Sequence, residues 1–145
     1  MREYNIFISH SWTYKDAYEK LTNILRNAPY FSYNDYSVPK EKSLTIYNKL
    51  YYEIELKNKI KNKMKYCNVV LILAGVYSSY SDSINMEIEI ANELGKPIIA
   101  IEPWGSERTS LIVKKNAKII VKWNSASIVG AIKEITLWEK LFLLE

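Results

Sequence analysis

Two short, continuous apolar runs constrain the fold of this chain more than any other feature of its sequence. They occupy residues 68–74 and 97–101 and are rich in valine and isoleucine, which is typical of parallel strands that are buried on both faces. The stretch between them contains a segment with helical spacing. Because neighbouring parallel strands are usually joined by a helix, these residues predict a strand–helix–strand unit in the middle of a sheet.

The helix of this unit carries a carboxylate on its apolar side. At about 100° per residue, one arc of the helix collects the apolar residues Ile84, Ile88, Ile90, Ala91 and Leu94, and Glu87 falls inside that arc. Glu89 and Glu93 point the opposite way. Burying an unpaired charge costs roughly several kcal/mol or raises the pKa, so Glu87 must be desolvated, partnered or used for chemistry. From the residues alone, a structural acid near a helix start and a catalytic acid carry equal weight.

The remaining chain alternates between strand and helix patterns. Strands are predicted at residues 4–9, 31–36, 68–74, 97–101 and 117–121, and helices at 13–26, 45–65, between the two central strands, 106–114 and 125–144. This alternation implies right-handed crossovers and a mostly parallel five-stranded sheet with helices on both faces. At this size we expect a flavodoxin-like three-layer α/β sandwich.

Three details of the helices are predicted from the same spacing. Thr13 and Asp16 form a capping pair at the first helix. The apolar stripe of the helix at 45–65 shifts along its length, so we expect a bend or a partly covered surface. The inner face of the last helix consists of Ile128, Ile132, Ile135, Trp138 and Phe142.

Length, charge and cysteine content narrow the class of protein. A chain of 145 residues with 48% hydrophobic residues matches a single domain, 1–145. The net charge is +4, but lysines concentrate on one predicted helix, which favours a solvated surface over a nucleic-acid footprint. The single cysteine, Cys67, excludes an internal disulfide and favours a reducing cytosol. No apolar stretch reaches transmembrane length or resembles a signal peptide, so we expect a cytoplasmic protein without membrane contacts.

A functional site is expected at the carboxyl ends of the strands, where open α/β sheets bind their ligands. This rule brings together the loops at residues 9–12, 35–40, 75–83 and 102–107. Neither a GxGxxG nor a GxxxxGK[ST] phosphate loop is present. A Ser/His/Asp triad would have to use His10, the only histidine, without an elbow motif to present the nucleophile.

Several stretches resemble a known family. FISHSW at residues 7–12 is similar to the opening of TIR domains. The stretches NVVLILAGVYSSYS, IxxEIxIA, KPIIAIEPWGSERTS and IIVKWNSASIVGAI resemble the TIR-like proteins of the bacterial Thoeris anti-phage system. The similarity extends over nearly the whole chain, and KPIIAIEPWG is its most specific part.

The resemblance implies NAD chemistry. TIR enzymes of this kind cleave the bond between nicotinamide and ribose and join the ADP-ribose to itself, which gives a cyclic isomer that activates an effector protein. Their catalytic glutamate corresponds to Glu87. Many of them carry a tryptophan four residues earlier, where this chain has Ser83. Tyr77, Tyr80 or Trp104 could replace that stacking surface. NAD would be the substrate, with no separate cofactor and no metal.

Further substrate contacts are expected in the loops at the carboxyl ends of the strands. Ser9 and Ser11 are suited either to capping the first helix or to presenting amides to a diphosphate. His10 is suited either to a loop or capping role or to contact with a phosphate or the adenine. Residues 35–39, which include Asp35 and Tyr36, occupy the place of the family's flexible loop. A phage-derived trigger or self-assembly into a homo-oligomer is expected to complete the site.

Two other functions stay open on the sequence. The first is a TIR-type interaction module without catalysis, which would bind partners through residues 35–39 and its helix faces. The second is an enzyme that acts on another N-glycosidic substrate, a nucleoside or nucleotide, with Glu87 as nucleophile.

Overall fold

The strands and helices of a computed structural model follow the predicted alternation. The structure describes residues 2–9, 15–38, 49–73, 81–102 and 111–143. In these ranges the elements are β1 (Glu3–Ile8), α1 (Lys15–Asn27), β2 (Ser32–Asp35), α2 (Lys49–Met64), β3 (Val69–Leu73), α3 (Ser81–Glu93), β4 (Ile98–Glu102), α4 (Leu111–Asn116), β5 (Ile119–Lys122) and α5 (Ser125–Leu143).

The sheet has the strand order β2-β1-β3-β4-β5, and each described pairing is parallel. Leu71 of β3 is opposite Ile8 of β1 on one side and Ile99 of β4 on the other. The order reverses between β1 and β3, so this pair forms the topological switch point at which such folds bind ligands. The flavodoxin-like fold is therefore confirmed.

Apolar clusters lie on both faces of the sheet. Side chains of successive strand residues point to opposite faces, so Leu71 packs towards α1 and α5, whereas Val70 and Ile72 pack towards α2, α3 and α4. These three side chains are 0% exposed. A strand covered on both sides needs apolar residues at every position, which explains its unbroken valine, leucine and isoleucine run.

The end of α3 reverses the chain into β4. The Lys96 N–H donates to the Ala91 carbonyl oxygen at 2.8 Å, and the Gly95 N–H donates to the Asn92 carbonyl oxygen at 3.2 Å. Gly95 has φ 66°, a left-handed conformation that glycine adopts without steric cost. This pair of bonds is the Schellman motif, and it fixes the backbone of Lys96 two residues before β4.

The predicted inner face of α5 is confirmed for Ile128, Ile132 and Ile135, which are at most 2% exposed. It is wrong for Trp138, which is 43% exposed. Trp138 follows Ile135 by three residues and is turned about 60° from it around the helix, so its ring lies at the margin of the buried arc. The side chain of Phe142 lies outside the described residues.

The partly covered surface predicted for α2 is confirmed. Leu50 and Ile54 are 67% and 51% exposed, whereas Ile60 and Met64 are 3% and 0% exposed.

The predicted capping pair of α1 lies outside the described side chains. Among the helices that the structure describes, none combines the length and the apolar character that a membrane crossing requires.

A paired substitution tests the role of the buried sheet. Ile99 in β4 is 0% exposed and Ile120 in β5 is 41% exposed. We expect Ile99→Ala to lower the free energy of unfolding by about 2–5 kcal/mol, because it removes buried methyl groups and leaves a cavity. Ile120→Ala should cost less than about 1.5 kcal/mol. Urea unfolding curves measure both, and equal losses would contradict the burial described for β4.

Candidate active site

Glu87 is a buried acid of α3, whereas Glu89 and Glu93 on the same helix are exposed to solvent. Its side chain lies on the same arc of α3 as Ile84 and Ile88, and the residue is 5% exposed. The side chains of Glu89 and Glu93 are 66% and 50% exposed and form ion pairs with lysines of α2 at 3.9 and 3.0 Å. The inward placement predicted for Glu87 is confirmed. A carboxylate here is largely desolvated, so its electrostatic interactions are stronger than those of its exposed neighbours.

Glu87 lies on α3, a helix that begins at the carboxyl edge of the sheet. α3 follows β3 and runs back against the strand direction, so its first turns lie at that edge. Glu87 is six residues after Ser81, the first residue of α3, which is about 9 Å along the helix axis. Glu87 is the seventh of the 13 residues of α3, so its carboxylate lies about midway along the helix, on the arc that also carries the buried Ile84 and Ile88.

Ser9 lies at the end of β1, at the switch point between β1 and β3. Its backbone N–H donates to the Leu71 carbonyl oxygen at 2.9 Å, which extends the pairing between β1 and β3. Ser9 is 1% exposed. A polar residue with so little exposure is held firmly at the strand end, where the substrate contact was predicted.

Asp35 is the last residue of β2 and Tyr36 directly follows it. Their side chains point to opposite sides of the sheet. The Asp35 carboxylate accepts hydrogen bonds from the Tyr18 hydroxyl and from the Ser37 N–H and hydroxyl. Burial, and then the hydrogen bond to Asp35, raise the pKa of Tyr18 to about 12. Asp35 is thereby tied to α1 and to its own loop. Local sequence patterns do not predict the contact of Tyr18, because it joins residues that are 17 positions apart along the chain.

Tyr36 shares the side of the sheet on which Glu87 lies. Its N–H donates to the Ile6 carbonyl oxygen at 2.9 Å, and its ring is 6.5 Å from that of Tyr66. It packs against the apolar cluster that contains Ile84 and Ile88 of α3. Of the two predicted contacts at the end of β2, Tyr36 is therefore the better placed to reach a ligand beside Glu87.

The other predicted contacts are only partly covered by the structure. Ser83 lies in the first turn of α3, four residues and so about one helical turn before Glu87, and its side chain is not among those described. His10, Ser11 and Trp104 lie outside the described residues. Their roles as substrate contacts stay predictions.

The fold and the site define a flavodoxin-like domain with a buried carboxylate on the helix that follows β3. Residues 7–108 match the family described as Thoeris protein ThsB, TIR-like domain. The match covers well over half of the chain and includes Glu87, so the chain belongs to this family. The resemblance to the TIR-like proteins of the Thoeris system is thereby confirmed. A search of curated proteins finds no match.

Two solved structures share the fold. One is the 2-deoxyribosyltransferase from the psychrotolerant bacterium Bacillus psychrosaccharolyticus, with a TM-score of 0.55 and 14% identity over 80% of this chain and 84% of that chain. The other is the CMP N-glycosidase BcmB from Clostridium botulinum, with a TM-score of 0.51 and 16% identity over 89% of this chain and 98% of that chain. At these identities the similarity shows the fold alone.

A stability measurement separates a functional acid from a structural one. We expect Glu87→Gln, which keeps the shape of the side chain and removes its charge, to change the free energy of unfolding by less than about 1 kcal/mol or to raise it, because a charge near apolar side chains is costly. If Glu87 were one half of a structural buried ion pair, the substitution would cost about 3–5 kcal/mol. Urea unfolding at neutral pH distinguishes the two outcomes.

Proposed function

We propose that this protein cleaves NAD between nicotinamide and ribose and joins the resulting ADP-ribose to itself. The product, a cyclic ADP-ribose isomer, would be a diffusible signal that activates an effector protein in anti-phage defence. Membership of the Thoeris TIR-like family supports the defence role. The single observation that carries the chemistry is the burial of Glu87, 5% exposed, on the helix that follows β3.

The proposed reaction requires stabilisation of a sugar cation. When nicotinamide leaves, it takes the electron pair of the glycosidic bond, and the ribose becomes oxocarbenium-like. A carboxylate at Glu87 would stabilise this positive charge and orient a ribose hydroxyl by accepting its hydrogen bond. Its shielding from water strengthens that electrostatic interaction.

Ring closure follows from capture of the same cation. A nucleophilic atom of the ADP-ribose attacks the anomeric carbon, a bond forms there, and one proton is released as the cyclic product becomes neutral at that position. If water attacks instead, the product is linear ADP-ribose. The balance between the two products depends on how the site folds the substrate and excludes water.

We assign the remaining substrate contacts to the rim of the sheet. They are Ser9, His10, Ser11, Asp35, Tyr36, Ser83 and Trp104. Ser9 is supported by its position at the end of β1, beside β3, and Tyr36 by its packing on the same side of the sheet as α3.

The direct test is release of nicotinamide from NAD. We expect the wild-type protein to release it and Glu87→Gln to be slower by about 100-fold or more, because removing one electrostatic stabiliser of a transition state has effects of this size. Glu89→Gln is the matched control, since Glu89 lies on the same helix and its side chain is 66% exposed. Chromatography with mass spectrometry measures nicotinamide and both nucleotide products.

The assay needs two conditions, because a phage component or self-assembly is expected to complete the site. Purified protein is tested alone and with lysate from infected cells. Equal rates for Glu87→Gln and Glu89→Gln would contradict the proposed role of Glu87. No turnover by the wild type in either condition would favour the non-catalytic interaction module.

A parallel assay addresses the second alternative. The carboxylate of Glu87 is equally suited to a sugar cation formed from another nucleoside or nucleotide. If the protein releases a free base from nucleosides or mononucleotides and does not cleave NAD, its substrate belongs to that class and is not NAD. Loss of this activity in Glu87→Gln would still assign the chemistry to the same residue.

A further inference from the structure

A cavity that Glu87 does not line is found at the end of the sheet where β4 and β5 begin. It has a volume of about 240 Å³, and we call it the amino-end cavity because Pro97 and Lys118 in its wall directly precede β4 and β5. Gly95, at the end of α3, also lines it. Gly95 follows Glu87 by eight residues, or about 12 Å along a helix axis, so the two sites are separate.

Two lysines lie at fixed positions in the wall of this cavity. The Lys96 N–H is held by the Ala91 carbonyl oxygen at 2.8 Å, and the Lys118 N–H is held by the Ile98 carbonyl oxygen, also at 2.8 Å. Both backbones are therefore anchored at the amino end of β4, which begins at Ile98. α3 and α4 end nearby, and cations are favourable at helix carboxyl ends. That effect explains why lysines are tolerated there, but not why they border a cavity.

Glu139 of α5 faces the same space. Burial raises its pKa above the ordinary value, while the charges of Lys96, Lys118 and Arg2 act in the opposite direction. Among the described residues, neither Lys96 nor Lys118 forms an ion pair with Glu139 within 4.0 Å. The cavity thus presents cations and a hydrogen-bond acceptor that do not neutralise each other by direct contact.

Trp138 supplies an aromatic wall. Trp138 is 43% exposed and lines the cavity. The apolar pattern of α5 predicted that this residue would be buried. A half-exposed indole in a concave surface is suited to stacking with a flat ring, as in proteins that bind single nucleobases.

We propose that the amino-end cavity binds a mononucleotide with an exocyclic amino group. Lys96 and Lys118 hold the phosphate, Trp138 stacks on the base, and Glu139 accepts a hydrogen bond from the amino group. The volume is below the roughly 300–1,000 Å³ of sites for drug-sized ligands, so the cavity suits one nucleotide better than a dinucleotide such as NAD. This site does not depend on the function proposed for Glu87.

Titration calorimetry with AMP tests the site in the Glu87→Gln protein, which removes turnover from the measurement. We expect AMP to bind to wild type and Glu87→Gln alike. Lys96→Ala with Lys118→Ala, and separately Trp138→Ala, should each weaken binding by about tenfold or more. Trp138→Phe keeps an aromatic ring and should retain most of the affinity. Lys133→Ala, on an exposed position of α5 outside the cavity, is the control and should bind as wild type does.

The choice of ligands tests each contact. IMP, which lacks the amino group, and ribose 5-phosphate, which lacks the base, should bind more weakly than AMP, and added salt should weaken binding of all three. The proposal is overturned if AMP does not bind at millimolar concentration, or if the lysine and tryptophan variants bind AMP as wild type does. It is also overturned if Glu87→Gln alone abolishes binding, because the ligand would then belong to the rim beside Glu87.

Discussion

The structure depends on β3 being paired on both edges and buried on both faces. The Asn68 N–H before it donates to the Asn5 carbonyl oxygen at 2.7 Å, and the Val70 N–H donates to the Pro97 carbonyl oxygen at 3.0 Å. In a dry interior, backbone groups must find such partners within the protein. β1 on one side of β3 and β4 on the other supply these partners. Because β2 lies beyond β1 and β5 lies beyond β4, the strand order reverses between β1 and β3.

This constraint positions the proposed chemistry. α3 leaves the sheet next to the reversal, and its buried arc includes Glu87. The same helix has exposed positions at which acids are solvated and paired with lysines, as Glu89 and Glu93 show. An acid on the buried arc costs stability that an apolar residue there would not. Functional sites are where such local costs are found, so the placement of Glu87 supports a role in binding or catalysis.

The sequence predicted the features that follow from local spacing. The order of elements, the apolar faces of α3 and most of α5, and the inward direction of Glu87 depend on residues a few positions apart. Features formed by distant residues were not predictable in this way. The contact between Tyr18 and Asp35 joins α1 to β2, and the amino-end cavity needs the ends of α3, α4 and α5 together. Trp138 was misplaced because its position on the helix lies at the edge of the buried arc, where neighbouring elements decide its exposure.

The proposed function requires Glu87 for the production of a nucleotide signal from NAD. The most direct test is mass spectrometry of small molecules from phage-infected cells that express either the wild-type chain or Glu87→Gln at equal protein levels. The account predicts that a cyclic ADP-ribose isomer accumulates during infection with the wild type and is absent with Glu87→Gln. Accumulation of the same molecule in both cultures, or in neither, would contradict it.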